Sequence, residues 1–277
     1  MKNYLDQKSF QNANDKISLT QKITNHINRR VNNGSLITQH DRSYAVQKIF
    51  DLHIKKEYKV ETLFVAVNVM DRYLHTIGFW TFPREHMCRL ATICMLIAAK
   101  LEQPISPSFT RMINLLTDDE KKNVSKAQLI ELEGDILTRM GFDFNFPGPI
   151  QTMERFLRIL DYDLNKTVYE MSYQICKFQL NDALFIPFRP SQIAACAVII
   201  SVNIFERDQE IYKNQHGKNF RSPNKKSFFK RSKTSDAKLG LVAMNTDVWN
   251  NPRMFSITGY TIEMLREPLY LLAVFIQ

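Results

Sequence analysis

The amino-acid sequence predicts an all-α protein: two tandem five-helix repeats preceded by an N-terminal helical arm. Three observations carry that expectation. Glycine is scarce, eight in 277 residues, under half of the roughly 7% of average usage. Two alanine-containing apolar runs, "LATICMLIAAK" from residue 90 and "IAACAVIISVN" from residue 193, stand 103 residues apart. Between them "FDFNFPGPI" interrupts regular structure with two prolines and a glycine.

The length suffices for two domains with cores that need neither disulfides nor metal. The expected boundaries are an arm over residues 1–36, a first repeat over 37–146 and a second over 147–277. The arm is polar, with a helical patch at "LTQKITNHINRRV" that stops at the loop signal "NNGS". A first helix follows from Asp41 to Tyr58. "VETLFVAVNVMDRYL" then places Val60, Leu63, Phe64, Val67 and Leu74 on one stripe, an amphipathic helix.

Pro83 opens the third helix at the first-turn position that proline favours. Glu85, Arg89 and Thr92 share one narrow side of it and all other sides are apolar, so neighbours must cover it nearly all round. "SPSFTRMINLL" reads as a short helix, "TDDEKKN" as a solvated loop and "VSKAQLIELEGDILTRM" as the fifth helix, running out at Gly141.

After the break the pattern restarts with "IQTMERFLRIL", "KTVYEMSYQICKFQL", "RPSQIAACAVIISVN", "NTDVWNNPRMFSI" and "YTIEMLREPLYLLAVFI". Repetition of a five-helix unit is the natural reading. The small-residue third helix of each unit belongs at its centre, where short side chains allow close approach. One segment, residues 206–245, is far longer than an ordinary connection and has the charge density of a disordered insertion.

The formal charge of +9 is concentrated there. Residues 213–238 hold Lys213, Lys218, Arg221, Lys225, Lys226, Lys230, Arg231, Lys233 and Lys238 against Asp236 alone, a net of +8 that leaves about +1 for the rest. A general nucleic-acid-binding surface is therefore not expected. Cys88, Cys94, Cys176 and Cys196 sit in apolar runs without metal-ligand spacing and read as buried thiols in a reducing compartment. The longest apolar runs, ten residues, are half of what a bilayer needs. The expectation is a soluble intracellular protein without metal or cofactor.

No phosphate loop, HExxH helix or nucleophile elbow is present, and the six histidines are scattered. Asp118 and Asp119 lie beside Lys121 and Lys122 in the expected solvated loop, so no enzyme is expected. Two charges do stand out. In the fifth helix the apolar stripe is Leu129, Leu132, Ile136, Leu137 and Met140, and Glu133 falls inside it, while Glu131 and Asp135 fall outside. A carboxylate among apolar side chains is costly unless paired. Lys100, at the end of the third helix, is the obvious partner. Two readings of this pair stand side by side. A cation at a helix C-terminus is favoured by roughly 0.3–1 kcal/mol, and Glu133 then merely pairs with it. Alternatively the two groups form a pre-organised surface for a partner's backbone.

"ETLFVAVNVMDRYL", "LIAAKLEQ", "LTDDE" and "KAQLIELEGDILTRMGFDFNFPGP" resemble, in order and spacing, the cyclin box of A- and B-type cyclins, and "FSITGYTIEML" resembles the end of their second fold. The resemblance covers about residues 38–277 and implies two tandem five-helix cyclin-fold repeats. It also implies that Lys100 and Glu133 match the pair with which cyclins grip the regulatory helix of a cyclin-dependent kinase. Ile97, Leu101, Leu137, Phe142 and Phe144 would then be the apolar floor of the contact.

Departures from the family pattern lie in the first helix. Aligned on "EYK", the helix puts Ser43, Tyr44, Val46, Gln47 and Phe50 where these cyclins carry a methionine, an arginine, two aliphatic residues and a tryptophan, so the substrate-docking patch is poorly matched. Arg42 replaces the missing arginine as partner of Asp71 only if the helix shifts by two residues. Residues 1–36 contain neither RxxL nor KEN.

The resemblance thus implies a regulatory subunit that binds and activates a cyclin-dependent kinase in cell-cycle control, with no catalytic residues and no membrane or specific nucleic-acid partner. Ser222 heads an S-P-x-K kinase consensus beside the basic cluster, which reads as an importin-binding signal and implies a protein shared between nucleus and cytoplasm. Two other classes compete: a two-repeat DNA-binding protein of the transcription-factor-IIB type, and a cyclin-fold scaffold without a kinase. The missing zinc ribbon and the low charge outside the insertion count against the first of these.

Overall fold

Residues 38–78, 82–216, 249 and 252–276 are described by the structure, a computed structural model. The arm expected over residues 1–36 lies outside the described residues. Helices are the only regular elements among the described residues, and the chain divides into two compact units after Phe144.

The first unit begins with α1 (Gln39–Lys56), two residues earlier than its expected start. A capping box starts it: Thr38 Oγ1 accepts the Asp41 N–H and Asp41 returns a carboxylate to the Thr38 N–H, which satisfies two backbone donors at the helix mouth. Glu57, left-handed at φ 50°, ends it. α2 (Val60–Ile77) follows with its apolar stripe buried. Pro83 precedes a 3-10 turn, Arg84–His86, that leads into α3 (Met87–Glu102), so proline sets the approach to the helix rather than its first turn.

α3 packs against α1, α2, the short α4 (Phe109–Ile113) and α6 (Lys126–Arg139), the central position expected for it. From Met87 to Ala99 every residue except Arg89 is buried. Thr92, polar on the wheel, is fully buried and donates to the Cys88 carbonyl at 2.8 Å. Arg89 is half-buried and donates from Nη2 to the Asn123 carbonyl.

"TDDEKKN" differs from its expectation as a solvated loop: Asp118–Lys121 form a helical turn, α5. Thr117 and Glu120 make a capping box there, and Glu120 also pairs with the buried Lys48 of α1. Asp118 and Asp119 do sit in solvent, each paired with the lysine three residues on. The five main helices are not of similar size, since α4 has five residues.

In the second unit, Gly148 and Pro149 open α7 (Pro149–Ile159), and Asn165 caps α8 (Lys166–Phe178) by accepting the Thr167 and Val168 N–H groups. α9 (Pro190–His216) packs against α7, α8 and α11 (Ile262–Ile276), the same central role that α3 plays in the first unit. Trp249 stacks edge-on against Phe156, next to α10 (Pro252–Thr258), which also contacts α7.

α9 corrects one expectation, because residues 206–216 belong to it and not to an irregular insertion. Once nucleated in its apolar half, the helix extends at one hydrogen bond per residue through good helix formers such as Glu206, Arg207 and Glu210. Their charge density reports solvent exposure, not loss of structure. Tyr162 holds this stretch by donating to Glu206 at 2.6 Å. The rest of the insertion, with Ser222, lies outside the described residues.

Burial opposes ionisation of Glu120, but hydrogen bonds from Lys48 and Thr117 and the Lys48 charge outweigh it and lower its pKa. Lys48→Ala strands that carboxylate and is expected to cost about 3 kcal/mol in chemical denaturation. Because the folded pKa is the lower one, the contribution is complete above the ordinary glutamate value of 4.5 and is lost as pH falls through the folded value. The wild-type melting temperature should therefore fall on acidification below that value, and Lys48→Ala should show a shallower fall.

Candidate functional site

The last turn of α3 carries the first unit out of its apolar core. Ala98 and Ala99 are fully buried, and the next residues, Lys100 and Leu101, are exposed. Gln103 closes the helix by donating its N–H to the Ala99 carbonyl and its side chain to Thr62 Oγ1. Ile97, one turn before Leu101, is buried and supports the surface from inside rather than lining it.

α6 presents the opposing carboxylate. Ser125 and Gln128 form its capping box, Leu129 and Ile136 are buried, and Glu133 lies between them on the inward side. Its side chain is 15% exposed and accepts from Lys100 Nζ at 2.7 Å, while the Lys100 side chain is 37% exposed. The structure thus makes the pair anticipated from the sequence. Lys100 also sits in the last turn of α3, where a cation suits the helix dipole.

The other face of the ammonium meets a residue that sequence reasoning missed. The Phe109 ring of α4 lies under Lys100 Nζ, 4.9 Å from its centroid. Also missed was the ion-paired Asp135 of α6, which accepts from Tyr73 Oη at 2.7 Å and from Arg139. Burial and that carboxylate push the Tyr73 hydroxyl pKa up. The bond ties α2 to α6 within the same unit.

After α6 the backbone makes two successive left-handed residues, Gly141 at φ 59° and Phe142 at φ 58°. Glycine takes that conformation freely, whereas for phenylalanine it costs roughly 1–3 kcal/mol. The Gly141 N–H donates to the Thr138 carbonyl and the Phe142 N–H to the Leu137 carbonyl, which hold the turn. The outcome is an aromatic ring 71% exposed, on the same unit as Leu101 at 50% and Ile105, also unanticipated, at 79%. Leu137 and Phe144 are half-buried.

The first helix settles a register question. Arg42 makes a bidentate pair with Asp71, Nε and Nη2 each 2.8 Å from a carboxylate oxygen, so the two-residue shift occurs. The side chains expected at the docking patch move with it. Gln47 is exposed and donates to Asp51 rather than lying on an apolar floor. Val46 is buried, and Ser43 and Phe50 are half-buried. Tyr44 is partly exposed, but desolvation of its hydroxyl, with Cys88 and Glu120 beside it, pushes the pKa up to about 12. The neighbouring buried group is the charged Lys48.

Among the described residues no cluster of three His, Cys, Asp or Glu side chains has metal-binding geometry, and no helix is long and apolar enough to cross a membrane. The arrangement offers instead a partly exposed, ion-paired cation next to exposed Leu101, a surface suited to contact with another protein.

Comparison with known proteins agrees with this architecture. The solved structures it resembles include a viral cyclin from herpesvirus saimiri, with a TM-score of 0.54 at 18% identity over 65% of this chain and 78% of that one. Another is the yeast RNA polymerase II CTD kinase CTDK-1 complex, with a TM-score of 0.51 at 19% identity over 61% of this chain and 56% of that one.

Among curated proteins, cyclin-B2-1 of Oryza sativa subsp. japonica is 29% identical over 63% of this chain and 39% of its own length. The G2/mitotic-specific cyclin-B of Marthasterias glacialis is likewise 29% identical, over 63% and 42%. The matches thus span about two fifths of the length of these relatives. The model of the cyclin N-terminal domain matches residues 8–145 and that of the cyclin C-terminal domain residues 144–222. With both domains matched in consecutive segments, and both built around a buried small-residue helix, the chain belongs to the cyclin family.

Proposed function

We propose that this chain is a mitotic-type regulatory subunit that binds and activates a cyclin-dependent kinase in the cell cycle and performs no chemistry itself. The observation that carries the reading is the Lys100–Glu133 pair, held at 2.7 Å next to exposed Leu101, on the unit that also exposes Phe142. The similarity to B-type cyclins and to a chain of a kinase complex supports it.

Activation in this reading is a population shift. A free kinase that is active about 1% of the time needs roughly 5.5 kcal/mol of differential binding to become 99% active. An interface with exposed apolar anchors around two fixed charges has the means to supply that difference. Part of the ordering of the Lys100 side chain is done in advance, since Glu133 already orients it. The strained Phe142 turn has a similar role: the cost of presenting the ring is met by folding, not by association.

The basic segment 213–238 adds a proposal about location. Its net charge of +8 suits importin, and Ser222 within the kinase consensus places a modifiable hydroxyl in that field. A phosphate there adds about −1.5 to −2 charges and offsets part of it. The chain would then be shared between nucleus and cytoplasm according to the state of Ser222.

Co-purification of the chain with a kinase, followed by a histone-peptide assay, tests the reading and separates it from a DNA-binding protein or a kinase-free scaffold. Lys100→Ala and Glu133→Ala should each weaken kinase binding by about 2–5 kcal/mol in calorimetry, because each leaves the other charge without its partner in the interface. Unchanged affinity for both variants would assign the contact to another face.

Mass spectrometry of the active complex with ATP should find phosphate on Ser222. Deleting residues 213–238 should leave activation intact and move the protein out of the nucleus. An arginine-x-leucine peptide should bind the α1 face weakly or not at all, since Tyr44 and the Lys48–Glu120 pair occupy it. Low-micromolar peptide affinity there would contradict this.

A further inference from the structure

The second contact of Lys100 goes beyond the proposed function. Its ammonium is 2.7 Å from the Glu133 carboxylate and lies over the Phe109 ring, 4.9 Å from the centroid. Phe109 opens α4, whose N-cap Ser108 accepts the Arg111 N–H, and fully buried Met112 fixes the helix three residues later. α4 packs against both α3 and α6, the helices that carry Lys100 and Glu133. The ring is therefore set by the same packing that sets the ion pair.

A lysine ammonium has three donors on a flexible four-carbon stem. A single hydrogen bond to a carboxylate leaves the head free to swing about that bond, which is one reason exposed pairs contribute little. An aromatic face on a second side attracts the cation through its quadrupole and removes water from that side. The ammonium is then held by two groups in the free protein, and it keeps donor capacity for a partner's carbonyl.

We infer that Phe109 is a positioning residue for kinase recognition: its ring holds Lys100 against Glu133 with donor capacity left for the partner. This rests on the kinase-binding reading of the site. Phe109 acts through the π face, so an aliphatic side chain of similar size does not replace it.

The test uses the full chain and a recombinant cyclin-dependent kinase that the wild-type chain activates. Phenylalanine analogues carrying one, two and three ring fluorines at position 109 keep shape and hydrophobicity while draining the quadrupole. Kd should rise stepwise, to about two- to fivefold in total, the strength of a cation–π contact at a partly exposed site. Phe109→Leu should lose as much and Phe109→Trp should restore binding. In a Lys100→Met background the fluorine series should become flat.

In the free protein, the Lys100 ε-methylene protons should show an upfield ring-current shift that vanishes in Phe109→Leu. A flat fluorine series on the wild-type background, or no such shift, overturns the role of Phe109. Kinase affinity that is indifferent to Lys100→Ala overturns instead the reading of the site on which this rests, so the two failures are told apart.

Discussion

Burial of α3 is the constraint on which the first unit depends. A helix that is apolar on nearly every side has no stable place except between others, and Ala91, Ala98 and Ala99 let α1, α2 and α6 come close around it. The one polar side chain between Leu90 and Ala99, Thr92, is satisfied on the helix's own Cys88 carbonyl. Its first charged residue after Arg89 is Lys100, in the last turn, where the backbone carbonyls also favour a cation. The position of the candidate site is thus a consequence of where the core ends.

Around that exit, groups that are costly alone are made acceptable in pairs. Glu133 faces inward on α6 and is stable there because Lys100 answers it. Arg42 and Asp71 do the same deeper in the unit, through a planar guanidinium that meets both carboxylate oxygens. Lys48 and Glu120 repeat the device at the α1 and α5 contact. Replacing one member of such a pair is worse than replacing both, because a buried charge without its counter-charge keeps its full desolvation cost. These pairs define which helix lies next to which, in a core whose apolar contacts are by themselves non-directional.

One strained residue of the first unit carries an exposed apolar side chain. Phe142 takes a left-handed backbone that glycine would adopt more cheaply, and the ring it carries stands largely in solvent. A folded protein keeps an apolar ring in that posture when the surrounding turn determines it, here through the Gly141 and Phe142 N–H bonds to α6 carbonyls. Leu101 and Ile105 continue the exposed apolar set. An unstrained polar residue would suit a solvent-facing turn better, and the proposed kinase contact supplies a reason for the ring.

The sequence by itself determined the helical class, the repeat, the central place of the two small-residue helices and the misplaced carboxylate at Glu133 with Lys100 as its answer. All of these are legible because apolar periodicity reports which side of a helix faces inward, and a charge on that side announces a partner. What only the tertiary structure decided are contacts with no period behind them. Phe109 belongs to a helix too short to show a stripe, and nothing local says that its ring lies under Lys100. The pairing of Arg42 with Asp71 depends on a two-residue register that no local pattern reveals, and Gln47 follows it into solvent. Likewise α9 runs on to His216 because a nucleated helix continues through charged residues that composition alone ascribes to a loop. Local pattern sets which faces are buried; the meeting of residues far apart in the chain is set by how the helices pack.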